Sequence, residues 1–228
     1  MIPVPVHTKL HRGFSIGSTV ALGTTTLNLL ADLLERKPQK QIRLLEGRAT
    51  VRIITLGETG SVVVKTCLRG GWLSRFNLYQ YVRWGKTRAK REFEFLFHAR
   101  NAGVQTPAPV AYITRGKALY QAWLITQAIT PHKTFAALAL SLPEKALDLL
   151  PEVSRNITLL VNAGIFHVDL HPGNILLTPD DGLYIIDFDK AIFFNGPRKK
   201  LIQKYKDRWS RAIFKYRLTA SISHLSLK

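Results

Sequence analysis

The chain contains the stretch His167-Val168-Asp169-Leu170-His171-Pro172-Gly173-Asn174, and the triplet Asp187-Phe188-Asp189 begins thirteen residues after Asn174. Turn residues at 178–182 separate two short apolar runs, which predicts a β-hairpin between the two stretches. A four-residue turn would place Asn174 opposite Asp187, and a two-residue turn would place it opposite Asp189. Directly opposed residues have Cβ atoms about 5 Å apart. Either register therefore collects oxygen ligands of the kind that Mg²⁺ prefers at the open end of the hairpin.

The composition limits the class of protein. A chain of 228 residues can bury a sizeable core without a metal or disulfide staple. The single cysteine, Cys67, excludes a disulfide framework and a Cys-based zinc cluster, and it is typical of a reducing compartment. Residues 14–31 form the longest uncharged run, but its Ser, Thr and Asn residues make it too polar to span a membrane. Lys and Arg number 33 against 15 Asp and Glu, and this net charge of +18 predicts an anionic partner.

The first half of the chain has a β pattern with helical interruptions. A short helix capped by Thr26 comes first. Five strands then follow, with one helix at residues 86–102 inserted after the third. The strands are predicted at residues 43–45, 50–56, 61–67, 109–114 and 120–128. We therefore expect residues 1–129 to form an N-terminal lobe around a five-stranded antiparallel sheet.

The second half is mostly helical. Pro143 and Pro151 each stand where a helix can begin, and an apolar stripe follows Pro151 as far as Gly164. After the predicted hairpin, the segment 198–217 carries nine Lys or Arg residues and one acid. We expect residues 130–228 to form a reduced helical C-terminal lobe. The predicted fold class is thus α+β with two lobes.

The spacing H-x-D-L-x-x-x-N followed by D-F resembles the catalytic loop and the metal-binding segment of protein-kinase-like phosphotransferases. The resemblance implies that Asp169 orients an acceptor hydroxyl and takes its proton, while Asn174 and Asp187 hold magnesium. It also requires a lysine on the third strand and a glutamate on the inserted helix. Lys65, at the end of Val62-Val63-Val64-Lys65, and Glu92 meet that requirement and would hold the phosphates of ATP.

Several alternatives stay open on the residues alone. Glu94 is the rival of Glu92, but it lies roughly 200° away around a helix and so falls on the polar face. His167, His171 and Asp169 could instead ligate zinc, although the segment has neither a Cys nor a further His nearby. Kinase chemistry is favoured because five residues each lie on the element where a kinase requires them: Lys65, Glu92, Asp169, Asn174 and Asp187.

The nucleotide-binding elements depart from those of ordinary protein kinases. Only Gly47 remains of the glycine-rich loop, so we expect Arg48 to contribute charge to phosphate binding. Ala128, at the end of the fifth strand, is a further predicted nucleotide contact. Asp189 replaces the glycine of the D-F-G triplet and removes its backbone freedom.

From about residue 44 to residue 189 the chain resembles the lipopolysaccharide kinases of Gram-negative bacteria. The likeness rests on several short segments, which are Arg69-Gly70-Gly71, Thr87-Arg88-Ala89-Lys90-Arg91-Glu92-Phe93, Pro107-Ala108-Pro109-Val110-Ala111, Leu124-Ile125-Thr126 and Asp187-Phe188-Asp189. It implies ATP-dependent phosphorylation of a hydroxyl of 3-deoxy-D-manno-octulosonic acid (Kdo), on Kdo-lipid A or core lipopolysaccharide. It also implies a peripheral position at the cytoplasmic face of the inner membrane. An inner-core heptose is the alternative acceptor.

The basic segments agree with an anionic membrane surface as partner. Residues 69–91 hold seven Lys or Arg residues, no acid, and interleaved Trp, Tyr and Phe, a composition suited to lipid headgroups. The segment 198–217 is either a second membrane contact or a packed helix with a solvated basic face. Nucleic-acid binding is disfavoured because no segment resembles a known module. A small RIO-like protein kinase and a non-catalytic nucleotide-binding scaffold are the other functional classes.

Overall fold

A computed structural model describes residues 4–35, 50–67, 81–82 and 85–227. The predicted strand at residues 43–45, the predicted nucleotide contacts Gly47 and Arg48, and most of the basic segment 69–91 lie outside these ranges. The chain divides into two compact units, the first formed by Met1–Glu94 with Ala108–Ala128 and the second by Phe95–Pro107 with Ile129–Lys228.

The first unit is built on an antiparallel sheet. Its strands are β1 (His7–His11), β2 (Phe14–Ser18), β3 (Thr50–Leu56), β4 (Gly60–Thr66), β5 (Tyr81–Val82), β6 (Pro109–Arg115) and β7 (Leu119–Gln127). They are ordered β1-β2-β6-β7-β4-β3, and β5 pairs with β7. The α+β class and four of the predicted strands are confirmed, but the described residues alone contain seven strands in this sheet rather than five.

The sequence analysis did not predict the hairpin β1–β2, because its first strand lacks the usual alternation of apolar and polar residues. Four of the five residues of β1 are exposed, so β1 has no alternation of apolar and polar residues. Arg12 and Gly13 both have positive φ, at 49° and 79°, which is the backbone of a tight two-residue hairpin turn. Only β2 contributes to the core, through Phe14 and Ile16.

Two helices pack on this sheet. Helix α1 (Thr24–Glu35) buries Leu27, Leu30 and Ala31, and these residues share one core cluster with Val62 and Val64 of β4. The helix begins two residues before the predicted cap at Thr26. Helix α2 (Arg88–Asn101) agrees with the predicted helix 86–102, and Gly103, with a φ of 85°, ends it as expected.

The second unit is mostly helical. It contains α3 (Phe135–Ser141), α4 (Pro143–Asp148), α5 (Leu150–Asn162) and α6 (Arg198–Lys215), with the short strands β8 (Lys133–Thr134), β9 (Ile165–Phe166), β10 (Ile175–Leu177), β11 (Leu183–Ile185) and β12 (Ile192–Phe193). Pro143 and Pro151 lie in the first turns of α4 and α5, as predicted. Trp209 and Tyr205 of α6 are fully buried, and the ring of Trp209 lies 6.0 Å from that of Phe135.

The division of the chain differs from the predicted boundary at residue 130, because Phe95–Pro107 groups with the second unit. Gln105 explains this grouping. Its N–H donates to Asn156 Oδ1 over 3.0 Å, its carbonyl accepts from the N–H of Ile185 over 2.9 Å, and its side chain accepts from the N–H of Leu183. Within the described ranges, none of the helices combines the length and the apolar composition needed to cross a bilayer.

Candidate active site

An ion pair joins the strand lysine to the helix glutamate. Lys65 Nζ lies 2.8 Å from Glu92 Oε1 and 3.1 Å from Oε2. The alternation of side chains along β4 explains why Lys65 reaches Glu92. Val62 and Val64 face the core cluster that includes residues of α1, so Lys65 lies on the opposite face of the sheet. Helix α2 packs on that face, where Phe93 contacts the ring of Tyr112 at 5.2 Å. The predicted pairing of Lys65 with Glu92 is confirmed.

The rival carboxylate has a different partner. Glu94 Oε2 accepts from Lys86 Nζ over 2.8 Å, and the Lys86 side chain is 56% exposed. Glu92 in contrast is 2% exposed. Helical phasing therefore selected the correct glutamate.

Ala128 follows β7 immediately. Its N–H donates to the carbonyl of Ser61 over 2.9 Å and so extends the pairing of β4 with β7. This bond uses the N–H of Ala128, and the role of Ala128 as a nucleotide contact stays a prediction.

The hairpin after the catalytic loop has a register that neither predicted turn produces. Leu177 pairs with Leu183 and Ile175 with Ile185, so Asn174 lies opposite Ile186, whose N–H donates to the Asn174 carbonyl over 3.0 Å. Both predicted registers are wrong. The cause lies in the loop, where the N–H of Asp181 donates to the carbonyl of Thr178 and Asp181 adopts a left-handed φ of 61°.

Asp187 comes one residue after the paired part of the hairpin. Its backbone is left-handed, with φ 65° and ψ 63°, which is uncommon for a residue other than glycine. This conformation ends the strand, breaks the alternation of side chains and starts a short 3₁₀ turn whose first residue, Phe188, is fully buried. Strain of this kind is found most often at functional sites.

Asp169 is held by three groups of the second unit. Its Oδ2 lies 3.1 Å from Lys190 Nζ, and its Oδ1 lies 2.5 Å from a guanidinium nitrogen of Arg208. Its backbone carbonyl accepts from Asn174 Nδ2 over 2.9 Å. Burial raises the pKa of the Asp169 carboxyl, but the hydrogen bond and charge of Lys190, together with the charge of Arg208, outweigh burial and leave that pKa below its usual value. Asp169 is therefore ionised at neutral pH and able to accept a hydrogen bond from a hydroxyl group.

The bond from Asn174 Nδ2 also fixes the orientation of the carboxamide. The amide oxygen is then the atom left to ligate a cation, and Asp187 adds a carboxylate. Hard oxygen donors of this kind fit Mg²⁺, which takes one or two protein ligands and completes its shell with water and substrate phosphates. The described residues contain no group of three or more His, Cys, Asp and Glu that could hold a metal by itself.

His167 links the catalytic loop to the hairpin. The ring is 1% exposed and lies 4.6 Å from Phe188, and Nε2 is 2.9 Å from the carbonyl of Ile186. Burial lowers the pKa of His167, so the ring is neutral and Nε2 donates this bond. A buried tyrosine supports the same loop, because the N–H of His167 donates to Tyr205 Oη and this hydroxyl donates to the carbonyl of Ile165, each over 2.8 Å.

His171 has a local structural role. Its Nδ1 accepts from the N–H of Gly173 and from the hydroxyl of Tyr216, both at 3.1 Å. Burial lowers the pKa of His171 as well. These contacts give His171 a structural role in its loop, and the described residues give the zinc hypothesis no support.

Three residues around Asp169 were missed by the sequence analysis: Lys190, Arg208 and Tyr205. Arg208 and Tyr205 lie on α6, 39 and 36 positions after Asp169, and no local pattern connects positions so far apart. Lys190 directly follows Asp187-Phe188-Asp189, so its proximity was the one signal available.

Comparison with known proteins gives matches to one sequence family and to a solved structure. A family model described as "Lipopolysaccharide kinase (Kdo/WaaP) family" matches residues 32–213. The 3-deoxy-D-manno-octulosonic acid kinase of Vibrio parahaemolyticus is 32% identical over 150 residues, covering 64% of this chain and 61% of that relative. The protein of the same name from Vibrio vulnificus (strain CMCP6) is 30% identical over 179 residues, covering 77% of this chain and 74% of the relative. Among solved structures, the Toxoplasma gondii specific rhoptry antigen kinase domain has a TM-score of 0.45 at 16% identity, covering 70% of this chain and 52% of that one.

Proposed function

Because the chain belongs to the lipopolysaccharide kinase (Kdo/WaaP) family, we propose that it transfers the terminal phosphoryl group of ATP to a hydroxyl group of Kdo in the lipopolysaccharide inner core. The observation that carries the proposal is the pair of Lys65 with Glu92 at 2.8 Å. A lysine held in this way by a buried glutamate is the arrangement with which kinases bind ATP phosphates. The spacing of the sequence motifs predicts the same pair.

Each residue of the site has a distinct task in this proposal. Lys65 binds phosphate oxygens of ATP, and Glu92 keeps its ammonium group in place. Asp169 accepts a hydrogen bond from the acceptor hydroxyl, orients it and takes its proton as the phosphoryl group is transferred. Asn174 and Asp187 would hold Mg²⁺, which when bound neutralises charge on the phosphates. Gly47, Arg48 and Ala128 are proposed to complete the nucleotide contacts.

Lys190 and Arg208 adjust the chemistry of Asp169. Both cations lie within hydrogen-bonding distance of the Asp169 carboxylate, so they favour the ionised form of Asp169 and restrict the rotation of its side chain. The lowered pKa makes Asp169 a weak base in the resting protein. It acts mainly by orienting the hydroxyl, and it takes the proton late, after the acceptor oxygen has begun to lose charge to phosphorus.

We also propose that the protein works at the cytoplasmic face of the inner membrane. The support is the surface of α6, which buries Leu201, Tyr205 and Trp209 while most of its Lys and Arg residues lie outside that buried face. Phe214 on this helix is 87% exposed. The burial confirms α6 as a packed helix, and a basic surface with an exposed aromatic ring is suited to anionic headgroups. Binding to phosphatidylglycerol vesicles that weakens with salt, and that falls in the Phe214→Ser variant, is the expected result.

The catalytic proposal is tested by incubating the protein with ATP, Mg²⁺ and purified Kdo-lipid A and measuring the mass of the lipid product. We expect one added phosphate, located on the Kdo residue by fragmentation, and a rate lower by about 100-fold or more with the Asp169→Asn variant. Lipid A without Kdo is the matched acceptor control. Phosphate on lipid A itself, or transfer only to a heptose-containing acceptor or only to an added protein substrate, would refute the Kdo assignment.

A further inference from the structure

A cavity of about 280 Å³ lies in the second unit on the side of the catalytic loop that faces α6. It is lined by His171, Arg208, Arg211, Ala212, Lys215 and Tyr216. The cavity adjoins the reactive carboxylate, because Arg208 both lines it and bonds to Asp169 Oδ1. None of the roles proposed above uses this cavity.

The cavity is strongly cationic. The spacing of Arg208, Arg211 and Lys215 is i, i+3 and i+7, which brings all three to one face of α6. Of the six lining residues, all within the described part of the chain, three are cations and none is a carboxylate. Arg208 is paired with Asp169, whereas the ion pairs among described residues do not include Arg211 or Lys215. Like charges four positions apart repel each other on a helix, so a bound anion would relieve this repulsion.

Two ring-bearing side chains, His171 and Tyr216, form another part of the cavity lining. The ring of Tyr216 stacks on that of His171 at 5.5 Å, and the Tyr216 hydroxyl is 3.1 Å from His171 Nδ1. Gly173 permits this contact, because a Cβ at that position would come within 2.6 Å of the Tyr216 hydroxyl. The catalytic loop and the end of α6 therefore meet at one wall of the cavity.

The size of the cavity indicates more than a single small ion. Its volume, about 280 Å³, is roughly nine times the share of liquid volume of one water molecule, which is about 30 Å³. A carboxylate or phosphate would occupy part of it, and the group that carries the anion would occupy the rest. Guanidinium groups bind such oxyanions in a bidentate manner.

We propose that this cavity is an acceptor subsite, in which Arg211 and Lys215 bind a carboxylate or phosphate of the acceptor and so select the hydroxyl that reaches Asp169. This inference rests on the proposed kinase function and adds the part of the site that recognises the acceptor. The carboxylate of the sugar acid and a phosphate of the lipid share the chemistry that the cavity recognises.

The test compares two double variants of α6 that lose the same charge. Arg211→Gln with Lys215→Gln removes the two cations of the cavity, and Lys199→Gln with Lys200→Gln removes two exposed cations at the other end of the helix. For the cavity variant we expect the KM for Kdo-lipid A to rise roughly 10–100-fold, since each charge-assisted hydrogen bond corresponds to about tenfold in affinity. The KM for ATP and the melting temperature should stay within error of wild type. Equal effects of the two double variants would show a general attraction to the lipid surface and overturn the subsite.

Modified acceptors identify the anion. If the carboxylate is recognised, the KM of the wild type rises by the same factor when the Kdo of the acceptor is a methyl ester, and the KM of the cavity variant rises little further. If the phosphate is recognised, dephosphorylated lipid A carrying Kdo has that effect instead. An unchanged KM of the wild type with both modified acceptors would overturn the proposal.

Equilibrium binding separates this inference from the proposed function. Calorimetric titration with Kdo-lipid A in detergent requires no turnover. Weaker binding by the cavity variant alone would support the subsite even in a protein that failed to phosphorylate this acceptor. Unchanged binding by an active enzyme would refute the subsite and leave the kinase function intact.

Discussion

Replacing Glu92 by glutamine tests whether Glu92, rather than Glu94 on the same helix α2, supports Lys65. Glu92 is 2% exposed and both of its oxygens accept from Lys65, whose side chain is 20% exposed. Removing one partner of a fully buried pair costs about 3–5 kcal/mol, because the remaining charge is left uncompensated. Since water still reaches part of Lys65, we expect a loss of about 2–3 kcal/mol. For a chain of this size, this corresponds to a fall in melting temperature of roughly 5–10 °C.

The Glu94→Gln variant is the matched control. It makes the same chemical change two positions along the same helix, but its partner, Lys86, is 56% exposed. Exposed pairs contribute about 0–1 kcal/mol, so the expected fall in melting temperature is below about 3 °C. Differential scanning calorimetry measures both variants against wild type.

Kinetics with ATP provides the second measurement. Without Glu92, Lys65 loses two hydrogen bonds to its ammonium group. We expect kcat/KM for ATP to fall about 10–100-fold, somewhat less than the loss of a phosphate-binding group itself. Glu94→Gln should leave it unchanged. Equal melting shifts for the two variants would refute the stability argument from burial. A destabilised Glu92→Gln enzyme with normal kcat/KM for ATP would refute the assignment of Lys65 and Glu92 to phosphate binding.

Three further predictions concern the second unit. Asp169→Asn should lower kcat by about 100-fold or more, the range for a lost general base, with little change in the KM for ATP; normal turnover would exclude Asp169 from the chemistry. Tyr205→Phe removes the hydroxyl that joins the N–H of His167 to the carbonyl of Ile165, so thermal unfolding should show a loss of about 1–3 kcal/mol, and an unshifted transition would contradict this. Burial lowers the pKa of His167 below its ordinary 6.5, so on acidification the imidazole of the unfolded chain is protonated before that of the folded chain. The contribution of His167 to the free energy of unfolding is therefore fully present above pH 6.5, and it falls on acidification by up to about 1.4 kcal/mol per pH unit. The His167→Gln variant should show a shallower pH dependence in urea titrations between pH 7 and pH 5, and an identical slope would assign the effect to other groups.

The hairpin shows why candidate metal ligands can be proposed from residue type and spacing while their alignment across a hairpin cannot be predicted. Asn174 and Asp187 were selected from their chemistry and spacing, but the register depended on one residue, Asp181, in a left-handed conformation. A difference of one residue in the turn changes every opposed pair. The predicted metal site therefore rests on the donor types and on the Asn174 carboxamide orientation, and no longer on a direct opposition of Asn174 and Asp187.

The grouping of Gln105 with the second unit is a similar case. The segment that follows α2 was assigned to the first lobe by its position in the chain. Its three hydrogen bonds to α5 and β11 place it in the other unit. Such bonds join residues 51 to 80 positions apart, and no local periodicity records them.

Local regularities were sufficient for the identity and order of most elements and for the choice of Glu92 over Glu94. Strand alternation and helical phasing repeat every two and 3.6 residues, so a few neighbouring residues specify which side chains share a face. The environment of Asp169 is different, because Lys190 and Arg208 reach it from 21 and 39 positions away. The contact of Arg208 with Asp169 depends on how α6 packs against the catalytic loop, and only the folded chain brings these charges together.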